Sequence, residues 1–246
     1  MFSFRGIGMA YGAVRALSAI DLDIAEGEVL ALCGDNGAGK SSLVKILSGA
    51  QAPTEGTIAL DGTAVQFRGP QDALARGIAT IYQDLAVAPR LSIWQNVFLG
   101  SELTRAPFGL LDKRRMAEMS RGFLARLAVT IADMETPVER LSGGQRQAVA
   151  ICRALRWDAR CMIMDEPTAA LGVRETAQVL DLIRRLHAEG RTVILVSHAM
   201  TDVAAVADRV VILKGGRKVA DRAMAGLGAA DLAFLITSGV AADQHR

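Results

Sequence analysis

Aromatic side chains make up only 4% of the 246 residues, with 2 tryptophans and 2 tyrosines among them. Cysteine occurs 3 times, and the spacing of Cys33, Cys152 and Cys161 fits neither a metal site nor a disulfide framework. An odd cysteine count suits a reducing cytosol. Cys33 and Cys161 lie in apolar strand-like runs and Cys152 in a helical pattern, so all three read as buried core thiols. No apolar run approaches the ~18 residues of a membrane span. Residues 1–5 lack a secretory-signal core, so no signal peptide is expected. The net charge is only +2, which gives no ground for nucleic acid as a partner. The basic cluster Lys113-Arg114-Arg115 is short and reads as a solvated helix face. There is no internal repeat and no low-complexity linker. Hydrophobic residues make up 51%, enough for a sizeable core in one large domain or one domain with a subdomain.

The stretch with most chemistry in it is Gly34-Asp35-Asn36-Gly37-Ala38-Gly39-Lys40-Ser41-Ser42. It fits G-x-x-x-x-G-K-[ST], the phosphate-binding loop of nucleotide-hydrolysing proteins. The alternative, a plain glycine-rich turn, does not need Lys-Ser. The flanks agree with the motif. Val29-Leu30-Ala31-Leu32-Cys33 reads as a buried strand, and Leu43, Val44, Ile46 and Leu47 follow at helical spacing before Gly49. Glycines let backbone N–H groups turn toward a phosphate chain, and the helix start adds partial positive charge. Lys40 is placed to reach the β- and γ-phosphates, and the Ser41 hydroxyl to ligate Mg²⁺. Cys33 adjoins this loop, so a thiol reagent that reached it would block nucleotide binding.

Along the chain, residues 1–33 read as strand-rich. Asp61-Gly62 between two short β-prone runs predicts a hairpin. Residues 71–76 suit a short helix, and residues 78–82 a strand that ends at Gln83. Residues 84–155 then read as mostly helical. One amphipathic helix is expected over 116–128, with Thr136-Pro137 as its break, and another from Ser142 to Leu155. Cys161-Met162-Ile163-Met164-Asp165 has the continuous apolar run of a strand buried on both faces. A helix over 175–189 and a strand over 192–196 complete a parallel unit with a right-handed crossover. A helix over 200–207 and a hairpin around Gly215-Gly216 follow, then a tail beyond Ala225 that is helical at first and frays by Val240. The fold class expected is α/β, a phosphate-loop core with a parallel sheet, an inserted α-helical subdomain and a small antiparallel β-subdomain.

Four further groups point to a site. Asp165 ends an apolar strand, where α/β sheets place ligand groups, and is suited to hold Mg²⁺ through water. Glu166 follows and is suited to polarise a water facing the γ-phosphate. Two adjacent carboxylates beside a triphosphate need separate roles, and one facing the metal with one facing the water provides them. His198 ends the next strand. A lone histidine is most often structural, but at this place it is a candidate to bond the γ-phosphate and align the water. Gln83 likewise ends a strand; its amide oxygen suits either the Mg²⁺ shell or the water. Tyr11 is either a core aromatic or a surface for a nucleobase.

Leu141-Ser142-Gly143-Gly144-Gln145 opens a helix with Ser142 as a cap, and its glycines are expected to expose backbone N–H groups. This is a second anion-binding device. The first already holds a full ligand set, so the second is expected to serve a nucleotide held by another copy.

Taken in order, the phosphate loop, Gln83, Leu141-Ser142-Gly143-Gly144-Gln145, Asp165-Glu166 and His198 resemble the nucleotide-binding subunit of ATP-binding-cassette transporters. The resemblance covers roughly residues 4–220. It implies ATP and Mg²⁺ as cofactors, and a head-to-tail pair whose signature Ser142-Gly143-Gly144-Gln145 closes over ATP on the partner. It also implies adenine stacking for Tyr11, the general base for Glu166 and the switch histidine for His198. The stretches IYQDLAVAPRLSIWQNVFLG, FGLLDKRRM and DEPTAALG resemble bacterial importers of simple sugars such as ribose, fructose and xylose. With one phosphate loop and one signature, the chain resembles their single-cassette members. This implies a homodimer or a pair with a second cassette, and two transmembrane permease subunits. A periplasmic sugar-binding protein takes part indirectly. The place implied is the cytoplasmic side of the bacterial inner membrane, as a peripheral subunit. Residues 1–240 are expected to form one ATPase domain, with an α/β core over 1–83 and 156–225, the helical block over 84–155 and a tail over 226–246. Gly172 stands where the common family pattern has Asp; the sugar-importer group often shares this, so hydrolysis is still expected. The permease contact is expected beside Gln83, with Trp94 at its centre and Phe98 in the core. Alternatives are an importer ATPase for another small solute, or a soluble cassette ATPase of DNA repair or translation. The latter usually carries tandem cassettes or long insertions. A nucleotide-dependent module without hydrolysis does not need Glu166 and His198, and a phosphate-loop kinase does not need the signature.

Overall fold

A computed structural model describes residues 1–82, 85–107, 109–169 and 171–238. Gln83 and the fraying expected near Val240 therefore lie outside the described residues.

Three strands open the chain, β1 (Phe2–Tyr11), β2 (Val14–Ile24) and β3 (Val29–Gly34), and helix α1 (Lys40–Leu47) follows. Then come β4 (Glu55–Leu60), β5 (Thr63–Val65), α2 (Pro70–Ala75) and β6 (Ile78–Ile81). Next are α3 (Ile93–Phe98), β7 (Thr104–Arg105), β8 (Leu110–Leu111), α4 (Lys113–Arg126), a 3₁₀ turn (Val138–Arg140) and α5 (Gly143–Arg156). The chain continues through β9 (Cys161–Asp165), α6 (Val173–Ala188), β10 (Thr192–Val196), α7 (Met200–Val206), β11 (Arg209–Lys214), β12 (Arg217–Ala223) and α8 (Ala229–Ser238).

The central sheet has strand order β12-β11-β3-β10-β9-β6. Five strands run parallel, and β12 pairs antiparallel to β11 at the edge. Every residue of β3 and β10 is buried, as their unbroken apolar runs require of strands covered on both faces. A second sheet, in the order β2-β1-β4-β5, is antiparallel. Asp61 and Gly62, both at positive φ, turn the chain between β4 and β5, the geometry a two-residue hairpin loop favours. One apolar cluster lies between this sheet, α1 and one face of the central sheet. The other joins the opposite face of the central sheet to α3, α4, α5 and α6.

Three expectations change in the helical stretch. The amphipathic helix starts at Lys113, where Asp112 caps it by accepting the Arg115 N–H, and it ends at Arg126, before Thr136-Pro137. A two-residue pair of strands, β7 and β8, interrupts the helices. Trp94 is only 2% exposed. Its helix α3 is fixed by a capping box between Ser92 and Gln95, which turns Ile93, Trp94, Val97 and Phe98 together into the core. Trp94 is therefore a core residue and not the surface anchor expected.

Candidate active site at the carboxyl ends of the parallel strands

The phosphate loop leaves β3 at Gly34 and enters α1 at Lys40. Its path depends on missing side chains. A Cβ on Gly34 would lie 2.2 Å from Leu213 O, and Gly39, at φ 103, would bring one within 2.7 Å of Ala16 O. The loop is braced from behind, because the Gly216 N–H donates to Ala38 O at 3.0 Å from the turn between β11 and β12. Lys40 Nζ donates to Gly34 O at 2.6 Å and Asp35 O at 3.0 Å, so its ammonium is held over the loop.

Adjacent parallel strands bring the other groups. β9 delivers Asp165 and Glu166, and its neighbour β10 delivers His198. Glu166 stands at φ 52, a left-handed conformation unusual for a residue with a side chain, and its N–H donates to Val196 O at 2.9 Å. Backbone of this kind costs on the order of 1 kcal/mol and is kept where the surroundings impose it. It sets the Glu166 carboxylate 2.8 Å from His198 Nδ1. Buried Ser197 accepts the Ala199 N–H at 3.0 Å, which turns the chain and leaves the His198 side chain 73% exposed. Burial raises the carboxyl pKa of Asp165 above its usual value; the charge of Glu166 adds to this and that of Lys40 opposes it.

These residues share one cavity of about 580 Å³. The loop from Asn36 to Ser42 forms its floor, Asp165, Glu166 and His198 one wall, and Tyr11 with Val14 and Arg15 the other. Tyr11 is half-exposed, and its hydroxyl donates to Gln51 Oε1 at 2.8 Å. Gln51 was not expected from the sequence; nothing in its own surroundings marks it. Gly34 and Asp35 do not line the cavity; their carbonyls accept from Lys40 Nζ. The fit to a nucleoside triphosphate with Mg²⁺ is chemical. A lysine and a helix start suit the phosphates, while Ser41 and Asp165 offer the hard oxygen ligands that Mg²⁺ takes beside phosphate oxygens.

The signature residues are not in this cavity. Ser142 caps α5 in a capping box: its hydroxyl accepts the Gln145 N–H at 3.3 Å, and Gln145 Oε1 accepts the Ser142 N–H at 3.1 Å. Gly143 and Gly144 are buried against α6, and the Gly143 N–H donates to Glu175 Oε1 at 2.9 Å. This corrects the expectation of an exposed N–H at Gly143, which Glu175 engages; Gly144 is buried. A Cβ on Gly143 would meet the side-chain end of Leu171, and one on Gly144 the amide end of Gln178.

Known proteins show which family the fold belongs to. The family model described as ABC transporter matches residues 17–169. The chain belongs to that family. The fructose import ATP-binding protein FrcA of Rhizobium meliloti is 47% identical over 221 residues, 87% of this chain and 85% of that one. The xylose/arabinose import ATP-binding protein XylG of Sulfolobus acidocaldarius is 46% identical over 217 residues, covering 88% of this chain and 86% of that one. A solved structure titled a nucleotide-free ATP-binding cassette from an ABC transporter superposes with a TM-score of 0.81. At 20% identity it covers 96% of this chain and 95% of its own, and it shows the same fold. The chain is thus an ATP-binding ABC subunit and an ATPase. Among the described residues, no helix is long and apolar enough to cross a membrane.

Proposed function

We propose that the chain hydrolyses Mg-ATP in a head-to-tail pair and thereby drives uptake of a small sugar through partner permease subunits. The observation that carries the chemistry is the Glu166–His198 pair, set at the ends of adjacent strands across the cavity from Lys40. Tyr11 stacks on the adenine. The loop N–H groups and Lys40 hold the phosphates. Ser41 and Asp165, with Gln83, hold Mg²⁺, which when bound neutralises charge on the β- and γ-phosphates. Glu166 accepts the proton of the attacking water, which bonds to the γ-phosphorus in line as the bond to the ADP oxygen breaks. His198, held by Glu166, donates to the γ-phosphate.

Ser142, Gly143, Gly144 and Gln145 serve the ATP of the partner copy. Their separation from the cavity of their own chain supports this reading, since one chain then carries two half-sites. The sugar class rests on relatives named for fructose and xylose/arabinose import. The permease contact falls on a groove of about 580 Å³ between β6, α2 and α5, rimmed by Tyr82, Leu99 and Trp157. A peripheral place at the cytoplasmic side of the membrane follows from that contact, and a sugar-binding protein would feed the permease from the other side.

Glu166→Gln tests the reading. ATP binding should persist, turnover should fall by about 10²–10⁴, and an ATP-dependent dimer should accumulate in sedimentation. Turnover at the parent rate would remove Glu166 as the base.

A further inference from the structure

Glu175 lies outside the phosphate loop, the Asp165-Glu166 pair and the signature, yet its carboxylate joins two of the elements on which the proposed composite site depends. Oε1 accepts the N–H of Gly143 at 2.9 Å, and Oε2 accepts the N–H of Gly172 at 3.3 Å. Gly143 opens α5, and Gly172 caps α6. The first N–H groups of a helix have no partner within it. One carboxylate satisfies such a donor at each of two helix starts, and its charge complements both dipoles.

Side-chain ends close over both signature glycines beside this link. A Cβ on Gly143 would lie 2.4 Å from Leu171 Cδ2, and one on Gly144 2.7 Å from Gln178 Oε1. The chain from Glu166 to Gly172 connects the hydrolytic carboxylate to the start of α6. Gly172 has no side chain with which to cap its own helix, and Glu175 in the first turn accepts the Gly172 N–H.

We propose that Glu175 is a positioning residue for the signature. It fastens the start of α5 to the start of α6, so that Ser142 to Gln145 and the first turn of α6 at Gly172 move as one body when two copies close. The inference rests on the composite site proposed above. It concerns a residue that touches no nucleotide and acts through Gly143 and Gly172.

The test uses the full chain with Glu175→Ala and Glu175→Gln, each alone and combined with Glu166→Gln. Three quantities are read: ATP affinity of the single chain, ATP-dependent association in sedimentation, and amide exchange at Gly143 and Gly172. Glu175→Ala should leave ATP affinity within about twofold, weaken association by about tenfold or more, and speed exchange at both amides, as loss of hydrogen bonds to a charged group implies. Glu175→Gln keeps one acceptor oxygen and should fall between Ala and the parent; it carries the test should Ala not fold. Association as tight as the parent's in both variants would overturn the proposal. So would a parallel fall in melting temperature and ATP affinity, the mark of a residue that only stabilises the fold. Failure of Glu166→Gln itself to associate with ATP would instead overturn the composite site, and the role of Glu175 with it.

Discussion

Glu166 and His198, on neighbouring strands, meet at 2.8 Å although 31 residues separate them in the sequence. The contact exists because β9 and β10 are parallel and in register, with Asp165 beside Val196. Both strand ends therefore open on the same side of the sheet, as ligand groups do in parallel α/β folds. His198→Ala should leave ATP affinity nearly unchanged and lower kcat by about a hundredfold or more. Steady-state kinetics separate the two quantities; a rise in KM at constant kcat would make His198 a binding residue instead.

The Tyr11 hydroxyl is tied to Gln51, which follows the helix that begins at Lys40. This tether fixes the ring relative to the phosphate loop. Tyr11→Ala should weaken ATP binding by roughly three- to tenfold, the range expected of one aromatic stack. Gln51→Ala should cause a smaller loss in the same direction. Neither should change kcat, and calorimetry with ATP and GTP would show whether the effect lies at the base.

Thiol reagents should not compete with ATP. Cys33, next to the loop, is wholly buried, and burial pushes its pKa up to about 12 against the pull of Lys40. Cys161 is likewise pushed up to about 12, and burial raises Cys152 as well. Because the thiolate is the reactive form, treatment with N-ethylmaleimide at pH 7 should leave ATP binding unchanged until the protein is unfolded. Burial bears out the reading of Cys33 as a core thiol, which a reagent does not reach in the folded chain.

Asp165 should be a stability cost at neutral pH. Its carboxyl pKa is raised by burial and by Glu166, so the folded state holds the proton more tightly than the unfolded chain. Stability from this group is complete below the ordinary aspartate pKa of about 3.9 and is lost as pH rises through the higher folded value. Asp165→Asn should therefore raise the melting temperature at pH 7 by on the order of a few degrees. The gain should shrink as the pH is lowered, and ATP hydrolysis should be lost. Scanning calorimetry at several pH values checks the sign.

The two tryptophans should behave oppositely. Trp94 is core, so Trp94→Ala should cost about 3–5 kcal/mol of stability. Trp157 is 44% exposed and stacks its ring on Arg156, whose guanidinium carbon lies 4.7 Å from the ring centre. Trp157→Ala should leave ATP binding intact and weaken stimulation of the ATPase by reconstituted permease.

Much of this site could be read from residue order, because its parts are local. A phosphate loop needs only a strand, glycines and a helix in succession, and Asp165 and His198 announce themselves by ending apolar runs. What depended on packing was hidden. Gly143 and Gly144 looked like bare N–H donors, since nothing nearby in sequence shows that α6 lies against them. Glu175 carried a faint signal, three residues after Gly172 at the spacing of a helix cap, but its second bond crosses to another helix. Trp94 looked like a contact residue until its helix turned it inward. The pair β7 and β8 has two residues per strand, too few for alternation to register.

The helices that carry the signature own no separate interior. Met162, Met164, Val193 and Leu195 of the central sheet lie in the same apolar cluster as Ile93, Val97, Leu124 and Ile151. A graft that moved residues 92–156 alone into a relative would expose half of that interior on each side of the cut. Chimaeras built to mix the signature of one importer with the phosphate loop of another should therefore exchange whole chains, with the two halves combined in trans.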